Sequence, residues 1–216
     1  CEKRTGIVPK ALKIVLVKRL LYKHLKAETK DPNLKEIYDR RQATLKWILV
    51  TCFGYLGYKN AKFGTVDGHI AVCALGRDAF LRAARMAESR GFSIVHGIVD
   101  SLWLKKEDAT SEEYIDLCKE VSREIDVPLN FEGRYKWIVF LPSRLHPRVG
   151  VLNRYYGVFE DGKVKTRGLE VRRRDTPKFV YDAQMGMVGV LASADNSEEF
   201  VDKIPQALDV VCKYKQ

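Results

Sequence analysis

Two amphipathic helical runs joined by a proline turn limit what this chain can fold into more than any other feature. From Pro9 to about Glu28, the apolar residues Leu12, Val15, Leu16, Leu20 and Leu21 recur at helical spacing. Lys18, Arg19, Lys23, Lys26 and Lys30 fall on the opposite, polar side. Asp31-Pro32-Asn33 is a turn signal, after which Leu34, Ile37, Tyr38, Arg41, Leu45, Ile48 and Leu49 again advance by threes and fours. The pattern predicts an antiparallel helical hairpin with a basic face. On the other side of its second helix, Lys46, Val50 and Phe53 line up along one stripe, and Gly54 and Gly57 end the helix.

Beyond the hairpin the period changes. Thr65 or Asp67 can cap a third helix running to about Arg90, with Gly91 placed for a left-handed stop. Phe92 to Leu104 holds two apolar runs split by Val99-Asp100-Ser101, which predicts a β-hairpin with Asp100 at its tip. A fourth helix begins at Ser111, with Glu112, Glu113 and Asp116 in or near its first turn, and ends before Val127-Pro128. Strands are expected at Leu129–Glu132 and Tyr135–Leu141, and then a hairpin of Tyr155–Phe159 and Val164–Val171 closed by Asp161-Gly162. After Pro177 the pattern is helical again, broken at Asn196-Ser197, with a last helix near Pro205 to Tyr214. The order is a helical hairpin, a mixed sheet with helices, and a helical tail. It contains no internal repeat or low-complexity linker.

Charge narrows the partners. The 216 residues, 46% of them hydrophobic, can bury a sizeable core, and 38 Lys and Arg against 28 Asp and Glu leave a formal net charge of +10. A polyanion, nucleic acid first, is the partner such a balance favours through counterion release; a membrane is not expected. No stretch approaches the ~20 consecutive apolar residues that cross a bilayer, and the first residues lack a secretory core. Five scattered cysteines, with no Cys-x-x-Cys pair, suggest neither a disulfide framework nor a zinc site, which fits a reducing cytoplasmic compartment. Four dispersed histidines suggest no metal cluster, and Ser, Cys and His form no nucleophile signature. Cys1 in place of an initiating Met reads as the start of a piece cut from something longer or of a separately encoded subunit.

The run Arg41-Gln42-Ala43-Thr44-Leu45-Lys46, followed by Phe53-Gly54-Tyr55-Leu56-Gly57-Tyr58, resembles the fingers motif of family B DNA polymerases. That motif reads Lys, three residues, Asn-Ser, any residue, Tyr-Gly. Lys46 and Gly54 match, Thr51 and Phe53 are close, and Val50 replaces the Asn. Arg19 and Lys23, one turn apart on the preceding helix, fall where the family grips an incoming deoxynucleoside triphosphate. With Lys46 they would form a phosphate clamp of one rigid guanidinium fork and two mobile ammonium charges, with Lys46 also polarising the departing pyrophosphate. On the residues alone, Arg19 and Lys23 equally suit a solvated basic face.

His96-Gly97-Ile98-Val99-Asp100-Ser101-Leu102 occupies the place of the family's catalytic hairpin, where two carboxylates stand one residue apart. Here Ile98 replaces the first and only Asp100 is left as a metal ligand, so the resemblance implies Mg²⁺ at an incomplete site. On the residues alone, Asp100 is also an ordinary turn aspartate. A further aspartate belongs to a palm motif that the family places before the fingers, so an upstream segment or separate subunit is an implied partner. Asn153-Arg154-Tyr155 resembles the family's Lys-x-Tyr element near the primer, without its cation. Lys165 to Asp175 resembles the segment from palm to thumb, where Arg167, Arg172, Arg173 and Arg174 suit contacts to the phosphates of primer-template DNA.

The resemblance implies an α+β assembly: a helical-hairpin fingers at residues 1–60, the distal palm with an antiparallel sheet and the catalytic hairpin at 61–172, and the start of a helical thumb at 173–216. The degenerate motifs look most like a divergent archaeal subgroup. The implied function is DNA-directed DNA polymerase in replication or repair, nucleoid-associated, with this chain inactive by itself. The other reading is a catalytically inactive, polymerase-like DNA-binding subunit.

Overall fold

A computed structural model describes residues 4–214, so Cys1 lies outside the described residues. The chain forms two compact units divided between Ala79 and Phe80. The fold is α+β, with six α-helices and two antiparallel sheets among the described residues. None of these helices is long and apolar enough to cross a membrane.

The first unit is built on α1 (Ile7–Glu28) and α2 (Pro32–Leu56). Asp31 caps α2, its carboxylate accepting from the backbone N–H of Asn33 at 2.8 Å and of Leu34 at 3.5 Å, while Pro32 presets the first turn. Gly57, not Gly54, is the C-cap; Gly54 lies within the last turn. The helices meet along a half-buried seam of Val8, Leu12, Val15, Arg19, Tyr22 and Lys26 on α1 and Tyr38, Gln42, Leu45, Leu49, Cys52 and Leu56 on α2. Both stripes advance by fours and threes, as in an antiparallel helix pair. This shifts the faces expected from sequence. Leu16, Leu20 and Leu21 stand exposed, and Arg19 moves from the basic face into the seam. A two-helix contact covers one narrow stripe per helix, so neither α1 nor α2 contains a buried residue. The first part of α3 (Val66–Ser89) closes the unit, tied to α2 by the Thr65 N–H donating to the Leu56 carbonyl at 2.7 Å.

The second unit has two cores. One joins Ala83, Ala87 and Phe92 to Ala109, Leu117 and Val121, packing the end of α3 on α4 (Ser111–Ile125) and on the hairpin of β1 (Ser93–Ile98) and β2 (Ser101–Lys105). A capping box starts α4: Thr110 accepts from the Glu113 N–H, and Glu113 from that of Thr110. The other core sets β3 (Tyr135–Pro142), β4 (Gly150–Phe159) and β5 (Val164–Arg167) against α5 (Lys178–Ala192) and α6 (Ser197–Lys213) through Trp137, Tyr156, Val158, Val188, Leu191 and Ala207.

Several expected boundaries move for identifiable reasons. The mixed sheet is two separate antiparallel sheets. Leu129–Glu132 is not a strand: the Leu129 N–H is taken by the Ser122 hydroxyl of α4 at 2.8 Å. β4 starts earlier, at Gly150, and β5 stops at Arg167 because Gly168 turns the chain at φ +65°. The last helix begins at Ser197, with Asn196 capping the N–H groups of Glu198 and Glu199, so Pro205 lies inside it.

Candidate functional site

In the first unit, two sets of contacts fix the register of the helical hairpin. Lys26 Nζ meets Asp39 Oδ1 at 2.7 Å, and Tyr22 stacks on Tyr38 at 6.0 Å between centroids while its hydroxyl receives Arg41 Nη1 at 3.4 Å. Carried one turn along antiparallel helices, that register sets Arg19 level with Gln42 to Lys46. The seam position therefore puts Arg19 and Lys46 at one height, with Lys23 about one turn away. Lys23 and Lys46 are exposed and have no carboxylate partner among the described residues. Arg19 is half-buried, and its Nε is a buried donor without a hydrogen-bond partner among the described residues. A buried, unmatched N–H costs about 1–3 kcal/mol, so Arg19 is poorly served by the seam alone.

At the end of α2, the Thr51 hydroxyl donates back to the carbonyls of Trp47 at 2.8 Å and Ile48 at 3.2 Å. The Phe53 ring stacks on His69 at 4.3 Å, and the His69 Nδ1–H donates to the Phe53 carbonyl at 3.2 Å. Gly54 faces open space: an added Cβ would meet nothing within 4 Å. At Gly57 the same Cβ would strike the His69 ring at 2.9 Å. Gly57 is thus required by packing, and Gly54 leaves an uncovered surface beside Phe53.

In the second unit, Asp100 is exposed at the tip of the β1–β2 hairpin, as the sequence predicts. Ile98 pairs with Ser101, leaving a two-residue loop in which Val99 adopts φ +52° at 85% exposure. A β-branched residue is rarely left-handed, so this tip carries local strain. Asp100 Oδ1 has one weak contact, the Ser101 hydroxyl at 3.4 Å. The base of the hairpin is rigid. Gly97 lets it approach α3, where a Cβ would come within 2.6 Å of Phe80. The His96 ring packs against Trp103 and Phe140, and its Nε2–H donates to the Leu152 carbonyl of β4 at 3.0 Å.

Tyr155, expected near the primer, belongs to this same aromatic cluster. It lies against Trp103 and Phe140 and is 2% exposed, so its ring packs between the hairpin and the sheet. From Tyr155 to Phe159 every residue of β4 is buried, so this half of the strand is covered on both faces, which the family-like Asn-Arg-Tyr pattern does not reveal. Nearby, the Tyr135 hydroxyl is buried, and that burial pushes its pKa up.

The arginines fall into two groups. Arg154 donates to the Gly168 carbonyl at 3.2 Å and meets Glu170 at 3.4 Å, and Arg173 forms a bidentate pair with Asp175 at 2.9 and 2.6 Å. These two hold the segment in shape. Arg167, Arg172 and Arg174 are exposed, without a side-chain partner among the described residues. Glu170, which the sequence did not single out, organises the group. It receives Gln184 Nε2 at 2.6 Å, and its carbonyl accepts from the Thr176 hydroxyl at 2.6 Å. The Gln184 hydrogen bond, helped by a backbone N–H and by Arg154 and Arg173, lowers its pKa. Gly168 is equally needed, since a Cβ there would fall 2.1 Å from the Asn153 carbonyl oxygen.

The donor set does not fit a complete pair of Mg²⁺ ions. Ile98 offers no lone pair where a second carboxylate would stand, and no group of three potential ligands exists among the described residues. Asp100 alone is a single, accessible carboxylate.

The sequence profile of DNA polymerase family B matches residues 1–215. Among curated relatives, DNA polymerase 2 of Saccharolobus solfataricus is 34% identical over 144 residues, covering 67% of this chain and 20% of that protein. DNA polymerase of Archaeoglobus fulgidus is 28% identical over 98% of this chain and 26% of its own length. DNA polymerase 1 of Pyrococcus abyssi is 26% identical over 100% of this chain and 28% of its own length. The chain thus spans between a fifth and somewhat over a quarter of these relatives. A family profile matched over residues 1–215 places the chain in DNA polymerase family B.

Proposed function

We propose that this chain supplies the fingers (residues 1–60), the distal palm (61–172) and the start of the thumb (173–216) of a template-directed DNA polymerase. What supports the reading is the register of the helical hairpin, which sets Arg19 and Lys46 at about one height, since a guanidinium whose buried Nε has no partner among the described residues and an exposed ammonium suit a triphosphate. Lys23 extends the cationic face by a turn. Phe53 and the open surface at Gly54 offer a flat apolar floor for a base. Asp100, accessible at its hairpin tip, would face the primer terminus and serve as a metal ligand. Because the hairpin has one carboxylate, the reading requires an upstream segment or subunit to supply another, and this chain by itself would be inactive. Arg167, Arg172 and Arg174, free of internal partners, would hold duplex phosphates, with Arg154 and Arg173 shaping the segment.

Ile98 favours a second reading, a polymerase-like subunit that binds DNA without extending it. Primer extension by the protein as its gene encodes it, beside its Asp100→Ala variant, separates the two: the first reading predicts extension that the variant loses, and the second predicts duplex binding without extension.

A further inference from the structure

From Gly133 to Phe159 the chain contains no Asp or Glu, yet it carries Arg134, Lys136, Arg144, His146, Arg148 and Arg154. Three of them are neutralised by carboxylates from outside the run: Arg134, just before β3, meets Glu160 at 3.3 Å, Lys136 meets Asp195 at 2.5 Å, and Arg154 meets Glu170. Arg144 and Arg148 are not. Both lie in the loop between β3 and β4, both are exposed, and neither has a side-chain partner among the described residues.

The loop is held in one shape by its own hydrogen bonds. The Ser143 N–H donates to the Val149 carbonyl at 2.9 Å, and the Val149 N–H to the His146 carbonyl at 2.9 Å. The Ser143 hydroxyl accepts from the N–H groups of Leu145 at 3.2 Å and His146 at 3.3 Å. Leu145 projects from the tip at 86% exposure, with Arg144 directly before it and Arg148 three residues beyond. An apolar tip between two guanidinium groups suits a nucleic-acid strand, where the cations take phosphates and the leucine lies on sugar and base edges. β4 leaves this loop at Gly150, and two residues on, the Leu152 carbonyl receives His96 of the Asp100 hairpin. The loop therefore emerges at the end of β4 where that hairpin docks.

We infer that the Ser143–Val149 loop is an additional contact to the nucleic-acid backbone, made by Arg144 and Arg148 on neighbouring phosphates and by Leu145 between them. The inference rests on the nucleic-acid reading above and adds a site to it. Unlike the arginines of the 167–174 segment, these two follow no motif; what marks them is the lack of any compensating acid.

The test is the salt dependence of duplex binding, measured on the protein as its gene encodes it. Arg144→Ala/Arg148→Ala should make the plot of log affinity against log salt shallower by about 1.8, from ~0.9 for each phosphate neutralised, and Arg144→Lys/Arg148→Lys should restore the slope. Leu145→Ser should weaken binding at every salt concentration without changing the slope. An unchanged slope in the double alanine variant would overturn the assignment of the loop alone. No salt-dependent binding by the unaltered protein would overturn the nucleic-acid reading and the loop with it. Loss of poly-glutamate binding in the double variant, with duplex binding intact, would give the loop to an acidic protein partner and so refute the proposal.

Discussion

Replacing Arg19 by leucine should strengthen the helical hairpin while weakening nucleotide binding, and the opposed signs make it a sharp test. Arg19 occupies a seam position between Val15 and Tyr22 on α1, with a buried Nε that has no partner among the described residues. Removing an unmatched donor recovers about 1–3 kcal/mol. A half-buried leucine contributes about 1 kcal/mol of apolar burial, but the arginine stem already covers part of that surface, so the gain from area is smaller. The net expectation is about 1–3 kcal/mol of local stabilisation, most of it from the removed donor. Native-state hydrogen exchange of the α1 and α2 amides reads it directly, because local opening free energies report each element separately. In the same protein, loss of one charge-assisted contact to a triphosphate, worth about 1.5–3 kcal/mol, should weaken deoxynucleotide binding by about ten- to a hundredfold. Slower exchange with unchanged nucleotide affinity would remove Arg19 from the proposed clamp. Faster exchange would show that the guanidinium stabilises the seam and refute the reasoning from its unmatched donor.

Two other outcomes follow from the arginine segment. Gly168→Ala should destabilise the second unit by about 3 kcal/mol or more, combining a left-handed backbone with a Cβ 2.1 Å from the Asn153 carbonyl oxygen; denaturant titration measures it, and a loss below about 1 kcal/mol would contradict the close approach of Gly168 to β4. Glu170 has a pKa lowered in the folded protein, so its contribution is fully present above the ordinary glutamate range and is lost as pH falls through the depressed value. Glu170→Gln should cost about 1 kcal/mol at neutral pH and flatten the loss of stability below about pH 4.5, as followed by thermal unfolding across pH. An unchanged acid limb would mean that other carboxylates set it.

What could be read from the sequence depended on the range of the interaction. The Asp31-Pro32-Asn33 turn, the Gly91 stop and the Asp161-Gly162 turn are local chemistry, and all three stand where the pattern puts them. Asp100 at a hairpin tip is local too. The errors arose where a distant partner decides. Arg19 counts as surface until a second helix picks which stripe it meets, and Leu129 loses its strand to a hydroxyl on α4. Tyr155 was assigned by motif, but the aromatic cluster of three strands claims it. Glu170 gave no signal beyond its place between Gly168-Leu169 and the arginines, because its role lies in the partners that converge on it. Pro205 suggests a helix start, whereas the helix begins earlier, after the Asn196 cap, with Pro205 inside it.

Primer extension with Mg²⁺ or Mn²⁺, by the protein as its gene encodes it and by its Asp100→Ala variant, tests the central claim most directly. The account predicts extension by the unaltered protein and a loss of at least about a hundredfold in the variant, with primer-template affinity retained, because Asp100 is exposed at the hairpin tip. Equal extension by both proteins would contradict it and remove the hairpin carboxylate from the chemistry.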